Sequence, residues 1–166
     1  MSAPLAVASL LVALMAACAP AEAQLNGAEG AGELFKALNN LGRCREATGT
    51  TEDEVRRMIE THRVPTSRNG QCLIACMAET YGVMREGRFS ADAAMQLADN
   101  MLQKIGQMSG SLRGEIQHVI KTCSSAGTPD MDACETAASV ANCGVEESRK
   151  MRTMRGHERS SISRFG

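Results

Sequence analysis

The sequence has no tryptophan, one tyrosine and three phenylalanines. Any interior surface it builds is therefore aliphatic and thioether-rich, and ring stacking contributes little there. It has no H-E-x-x-H, no Ser–His–Asp signature and no acidic cluster arranged as a metal site. Its histidines, His62, His118 and His157, show no ligand spacing. No catalytic residue, metal or cofactor is assigned, and the chain reads as a non-enzyme. No N-x-[ST] acceptor occurs, so glycosylation is not implied. After the first twenty-odd residues no hydrophobic run is long enough to cross a bilayer, so no stable membrane insertion is expected. Strand-type alternation, internal repeats and low-complexity segments are also missing.

What is present begins with "LAVASLLVALMAACA" at 5–19 and "AEA" at 21–23. An apolar run followed by small residues marks residues 1–23 as a secretory signal, although its n-region lacks Lys and Arg. The mature chain is expected to start near Gln24, giving a domain over 24–148 and a basic, flexible tail over 149–166. The domain holds 12 Lys and Arg against 17 Asp and Glu, a net of −5; the tail holds six basic residues and only Glu158, a net of +5. An acidic body gives no reason to expect nucleic acid as a partner, and the tail reads as solvated, with contact to anionic membranes as the alternative.

Helical periodicity accounts for the rest. Residues 32–46 carry Leu34, Phe35, Leu38 and Leu41 on one side and end at Cys44. In "TTEDEVRRMIETH", Thr51 is placed to cap a helix with Val55, Met58 and Ile59 as its stripe. "VPTSRNG" breaks it. "QCLIACMAETYGVM", 71–84, puts Cys72, Leu73, Cys76, Met77, Thr80, Tyr81 and Met84 on one broad face, and "REGRF" is a turn. Ser90 caps "SADAAMQLADNMLQKIG"; Leu112 to Cys123 is amphipathic; "DMDACETAASVANC" is the last cysteine-bearing helix. About six helices with short connections result.

Removal of Cys18 with the signal leaves Cys44, Cys72, Cys76, Cys123, Cys134 and Cys143. An even number in a secreted chain points to disulfides, and six cysteines allow 15 pairings. A zinc half-site and a redox pair are the alternative uses of Cys72 and Cys76, but a second close pair and a C-x-x-C beside a strand are both wanting. One helical turn apart, the two thiols face the same way, and each can staple a different neighbour.

The spacing of the six cysteines resembles that of the insect odorant-binding proteins, including the pheromone-binding members. Three residues separate Cys72 from Cys76 and eight separate Cys134 from Cys143, in that order, with 27, 46 and ten in the other gaps. "CLIACMAETYGVMREGRFS" resembles the family's third helix and following turn, and "DMDACETAASVANC" its last cysteine-bearing helix. The Cys76–Cys123 gap is a few residues longer than is usual there, and the basic tail departs from the hydrophobic C-terminus that some members fold into the pocket. The resemblance implies the pairing Cys44–Cys76, Cys72–Cys134 and Cys123–Cys143. It implies an all-α fold, a compact bundle of about six helices cross-linked by three disulfides around an internal apolar cavity. The implied function is extracellular carriage, for example in sensillar lymph, of a small apolar volatile or lipid-like ligand, with an olfactory receptor as a further partner and the protein a monomer or weak homodimer. Saliva, haemolymph or reproductive fluid is the alternative setting, and a saposin-like lipid-interacting protein the rival class.

Residues expected to line the pocket are Met84, Phe89, Leu97, Met101, Leu112, Ile116, Val119 and Val140, with Phe35 and Ile105 behind them. Met77, Met95 and Met108 add to a methionine-rich middle suited to varied guests. Thr80 and Ser139 offer hydroxyls for a ligand's polar end, or else bond local backbone. Glu79 is a solvated carboxylate by default. His118 and His62 are the residues through which acid could act, although surface positions are the simpler reading. An aliphatic or terpenoid-like ligand is expected over a polycyclic aromatic one.

Overall fold

The computed structural model describes residues 28–104 and 110–162, with side chains for 32–104 and 110–153. The signal segment 1–23, Ile105 and Met108 lie outside the described residues. Those described form six helices and one short hairpin: α1 (Ala28–Thr48), α2 (Glu52–Thr61), α3 (Arg68–Thr80), β1 (Met84–Arg85), β2 (Arg88–Phe89), α4 (Ala91–Lys104), α5 (Gly110–Cys123) and α6 (Ala133–Ile162). The fold is all-α, stapled by Cys44–Cys76, Cys72–Cys134 and Cys123–Cys143, the connectivity the resemblance implies. Cys72 and Cys76 do not bond each other: one ties α3 to α6, the other ties it to α1.

Local chemistry sets the helix ends. The Thr51 hydroxyl accepts from the Glu54 N–H at 3.2 Å, and the Glu54 carboxylate accepts from the Thr51 N–H at 3.1 Å, a reciprocal capping box. The Ser67 hydroxyl accepts from the Gly70 N–H and donates to Glu54, so one carboxylate supports the starts of both α2 and α3. Hydrogen bonding from Ser67 holds the Glu54 carboxyl below its ordinary pKa. Ser90 caps α4 through the Ala93 N–H at 3.2 Å. Asp132 caps α6 through the N–H groups of Cys134 and Glu135, with Glu135 reaching back to the Asp132 N–H.

α3 is the central element. It buries Leu73, Ile74, Ala75, Met77 and Ala78, more than one stripe, as a helix covered on several sides must. It packs most extensively against α6 and then against α1. α3 stops at Thr80 rather than running to Met84. Gly82 takes φ +72, the Gly82 N–H donates to the Glu79 carbonyl and the Val83 N–H donates to the Ala78 carbonyl at 2.8 Å. This is a Schellman ending, with glycine in the left-handed position that a Cβ disfavours.

Two further expectations need correction, and one expected boundary falls inside an element. The "REGRF" turn is flanked by a short antiparallel ladder pairing Met84 with Phe89 and Arg85 with Arg88. Its two turn residues, Glu86 and Gly87, both have positive φ, 51° and 73°, the conformation that matches the twist of a tight hairpin. Two-residue strands leave no periodicity to read. In α1 the inward face is Ala37, Leu41 and Cys44, with Leu34 half-buried, whereas Phe35 is 66% and Leu38 38% exposed. The Cys44–Cys76 bridge turns the face of Cys44 toward α3, and Phe35 falls on the far side of the helix. Finally, α6 continues through Ser148, itself 1% exposed, to Ile162. The division between body and tail expected there does not coincide with the end of an element.

α4 and α5 pack on each other. The Arg113 guanidinium donates two hydrogen bonds to the Asp99 carboxylate, each 2.8 Å, and holds that carboxyl below the usual aspartate range. Lys104 reaches Glu33 on α1 at 2.7 Å. No helix among the described residues is long and apolar enough to cross a membrane.

Candidate ligand-binding site

The hairpin begins the site. Pairing of Met84 with Phe89 sets their side chains directly opposite on one face of the ladder, while Arg85 and Arg88 alternate to the exposed face. The Ser90 N–H donates to the Val83 carbonyl at 2.9 Å and carries the pairing one step further, up to the start of α4. Met84 is 2% exposed and Phe89 is half-buried.

Two apolar clusters meet here. The larger runs through α1 to α6 and includes Met84, Met77, Ala94, Ala98, Leu102 and Ile116; Leu97, Met101, Leu112, Met95 and Phe89 pack against it partly buried. The smaller consists of Val119, Cys123 and Val140, with Phe89, Ala126, Cys143 and Met151 against it. Phe89 packs against both. The eight apolar residues expected from the sequence thus come from the hairpin, α4, α5 and α6 and fall on these two adjoining clusters.

Burial divides them. Met84, Ile116, Val119 and Val140 are each 4% exposed or less. Phe89, Leu97, Met101 and Leu112 keep partial exposure. On α4 the innermost stripe is Ala94, Ala98 and Leu102, so Leu97 and Met101 stand to one side of it. The Asp99–Arg113 pair links α4 and α5.

Other expected residues lie elsewhere. Thr80 is exposed and its hydroxyl donates to the Cys76 carbonyl at 2.8 Å. The Ser139 hydroxyl donates to the Ala126 carbonyl at 2.7 Å, pinning the loop before α6. Both protons are committed to backbone. Phe35 stands on the outer face of α1. Glu79, His62 and His118 are exposed. The His62 carbonyl accepts from Arg149 at 3.3 Å, and the His118 Nε2 lies 4.0 Å from Glu147. The sequence reading missed the alanine stripe of α4 in the larger cluster and Met151 on the smaller one. The i, i+4, i+8 spacing of Ala94, Ala98 and Leu102 was the available signal for the stripe.

Comparison with known proteins places this geometry. The PBP/GOBP family model matches residues 33–147. The chain belongs to the PBP/GOBP family. The matched span runs from α1 past Cys143 and so contains every bridge and every residue of the two clusters except Met151. General odorant-binding protein 19d of Drosophila melanogaster is 24% identical over 108 residues, 64% of this chain and 68% of that protein. The solved structure of odorant-binding protein dmelOBP28a from Drosophila melanogaster superposes with a TM-score of 0.59 at 21% identity, covering 72% of this chain and 95% of that one. That likeness shows a shared fold. As a PBP/GOBP member, the chain extends its last helix to Ile162, beyond the family match.

Proposed function

We propose that this PBP/GOBP chain is a secreted, non-enzymatic carrier of small hydrophobic molecules, odorants or pheromones, delivered through an extracellular fluid to olfactory receptors. The observation that carries the reading is the convergence of Met84, Phe89, Leu97, Met101, Leu112, Ile116, Val119 and Val140, from four elements, on two apolar clusters that share Phe89. Apolar surface gathered from several elements and fixed by disulfides can hold a guest in place of a fully packed core, with its driving force proportional to the apolar area removed from water. The methionine and aliphatic character of the set favours flexible, aliphatic or terpenoid-like guests over flat aromatic ones. The carrier works as a monomer or weak homodimer without a cofactor.

The test is displacement of bound N-phenyl-1-naphthylamine from the purified mature chain. Long-chain aliphatic alcohols and terpenoids are expected to displace it more strongly than polycyclic aromatics of similar size. Failure of the chain to take up the probe would overturn the carrier reading. Stronger displacement by the polycyclic aromatics would overturn the assignment of ligand class.

A further inference from the structure

Among the described residues of the two clusters, Met151 alone lies beyond residue 147, where the family match ends. It is half-buried and reaches the smaller cluster because α6 does not stop there but continues to Ile162. At about 100° per residue, Met151 comes within roughly 20° of Val140 around the helix, and at ~1.5 Å per residue it stands about 16 Å further along. Between the two, Cys143 is bonded to Cys123 of α5. Glu147 turns its carboxylate to Lys150 at 2.6 Å and lies 4.0 Å from His118 of α5. Among the described residues, α6 therefore gives this cluster no further apolar side chain after Cys143 until Met151.

The opposite end belongs to the hairpin. β2 packs on α6, and a Cβ built on Gly87 would lie 3.6 Å from the Cβ of Ala133, the first residue of that helix. Phe89 thus meets the smaller cluster from the first turns of α6, and Met151 meets it from beyond Cys143. The cluster itself is thin: Val119, Cys123 and Val140 are buried, and the apolar residues packed around them only partly so. The Cys123–Cys143 bridge holds α5 to α6 covalently whatever fills the space beside it.

We infer, resting on the carrier reading above, that Met151 is a specificity-determining residue that sets the longest unbranched aliphatic guest the protein takes. A guest laid along α6 from Phe89 meets Met151 at its far end. The thioether offers no hydrogen-bond donor and only a weak acceptor, so it stops an alkyl terminus rather than a polar head. Its unbranched, flexible chain yields to small differences in the guest, so the limit is graded rather than sharp.

The experiment is displacement of N-phenyl-1-naphthylamine from the purified mature chain by saturated primary alcohols of increasing length. Each inhibition constant is corrected for the variant's own affinity for the probe. For the unaltered chain, affinity is expected to rise with length and then fall at a limit. Met151→Ala is expected to move that limit out by about two carbons, with a roughly fourfold gain for each methylene newly buried. Met151→Phe puts a larger, stiffer group in the same place and is expected to draw the limit in. Met131→Ala removes a methionine that belongs to neither cluster and is expected to leave the limit where it was. An unmoved limit in both Met151 variants, with the probe still bound, would overturn this inference and leave the carrier reading standing. So would an equal shift in Met131→Ala, because loss of any methionine would then suffice. Failure of the unaltered chain to take up the probe would overturn both readings. Far-UV circular dichroism restricts the comparison to folded chains. Should Met151→Ala not fold, Met151→Phe alone must draw the limit in, or the inference falls.

Discussion

Removal of the Cys72–Cys134 bridge by Cys72→Ala/Cys134→Ala is expected to cost about 4 kcal/mol. The bridge joins residues 62 apart in sequence, and a loop of that size loses closure entropy worth about 4.3 kcal/mol when cross-linked, against about 3.7 for a separation of 32 and 3.3 for 20. The other two bridges hardly relieve it. A path through Cys123–Cys143 replaces the stretch from 123 to 134 by that from 134 to 143, so the effective loop remains at about 60 residues. Both sulfurs are in half-buried residues, unlike those of Cys44 and Cys123 at 2% and 1% exposure. Little packing is lost with them, and the loop contribution stands nearly alone. The neighbouring Arg68–Asp132 ion pair at 2.6 Å spans the same two helix starts, but it is solvent-exposed, screened by salt and unable to replace a covalent link. The assay is urea unfolding followed by circular dichroism without reductant. With a slope of about 1.5–2 kcal/mol per molar, the midpoint should fall by roughly 2–3 M. A loss below about 1 kcal/mol would refute the reasoning, because the unfolded chain would then already hold α3 and α6 together without the bridge.

Phe89→Ala should lower stability by about 2 kcal/mol, below the usual cost for a fully buried ring because Phe89 is half-buried, and should weaken N-phenyl-1-naphthylamine binding roughly tenfold in fluorescence titration. Unchanged probe affinity would place the guest away from the junction of the clusters. Gly82→Ala should cost about 1–2 kcal/mol in the same urea assay, since alanine must take φ +72 against the left-handed penalty; nothing lies within 4 Å of the added Cβ, so no clash contributes. Acid should erode thermal stability below about pH 4.5. Glu33, Glu54, Asp99 and Asp132 are all held below their ordinary values, 4.5 for the glutamates and 3.8 for the aspartates, chiefly by hydrogen bonds from Lys104, Ser67, Arg113 and Arg68 respectively. A depressed folded-state pKa gives stability that is present above the unfolded value and lost as pH falls through the folded one. A melting midpoint that stayed constant from pH 5 to pH 2.5 would contradict this.

Much of the fold is legible from a few residues. Thr51 and Ser90 announce the starts of α2 and α4 because a hydroxyl before an acidic or small first turn has a local use. The cysteine spacing carries the pairing through its resemblance to a family, where counting alone leaves 15 possibilities. The apolar residues on the two clusters are legible as a set, since Ile116 and Val119 belong to a clean helical stripe and Met84 and Phe89 flank a turn. What sequence does not carry is rotation and extent. Leu34, Phe35, Leu38 and Leu41 span a broad arc, and only the bridge at Cys44 shows which edge of it turns inward. Thr80 shares the register of Cys76 and Met77, yet its helix ends there and leaves it in solvent. The extension of α6 is polar enough to read as a tail, although arginine, methionine and glutamate are all good helix formers.

The bridges also overlap along the chain. Cys72 precedes Cys76, and Cys123 precedes Cys134, so each loop begins before the previous one closes. A protease that cuts the backbone once, anywhere between Cys44 and Cys143, therefore leaves one covalent molecule. No peptide is shed until a reductant or a second cut arrives. A nicked chain would migrate as intact on a non-reducing gel and fall into two fragments on a reducing one.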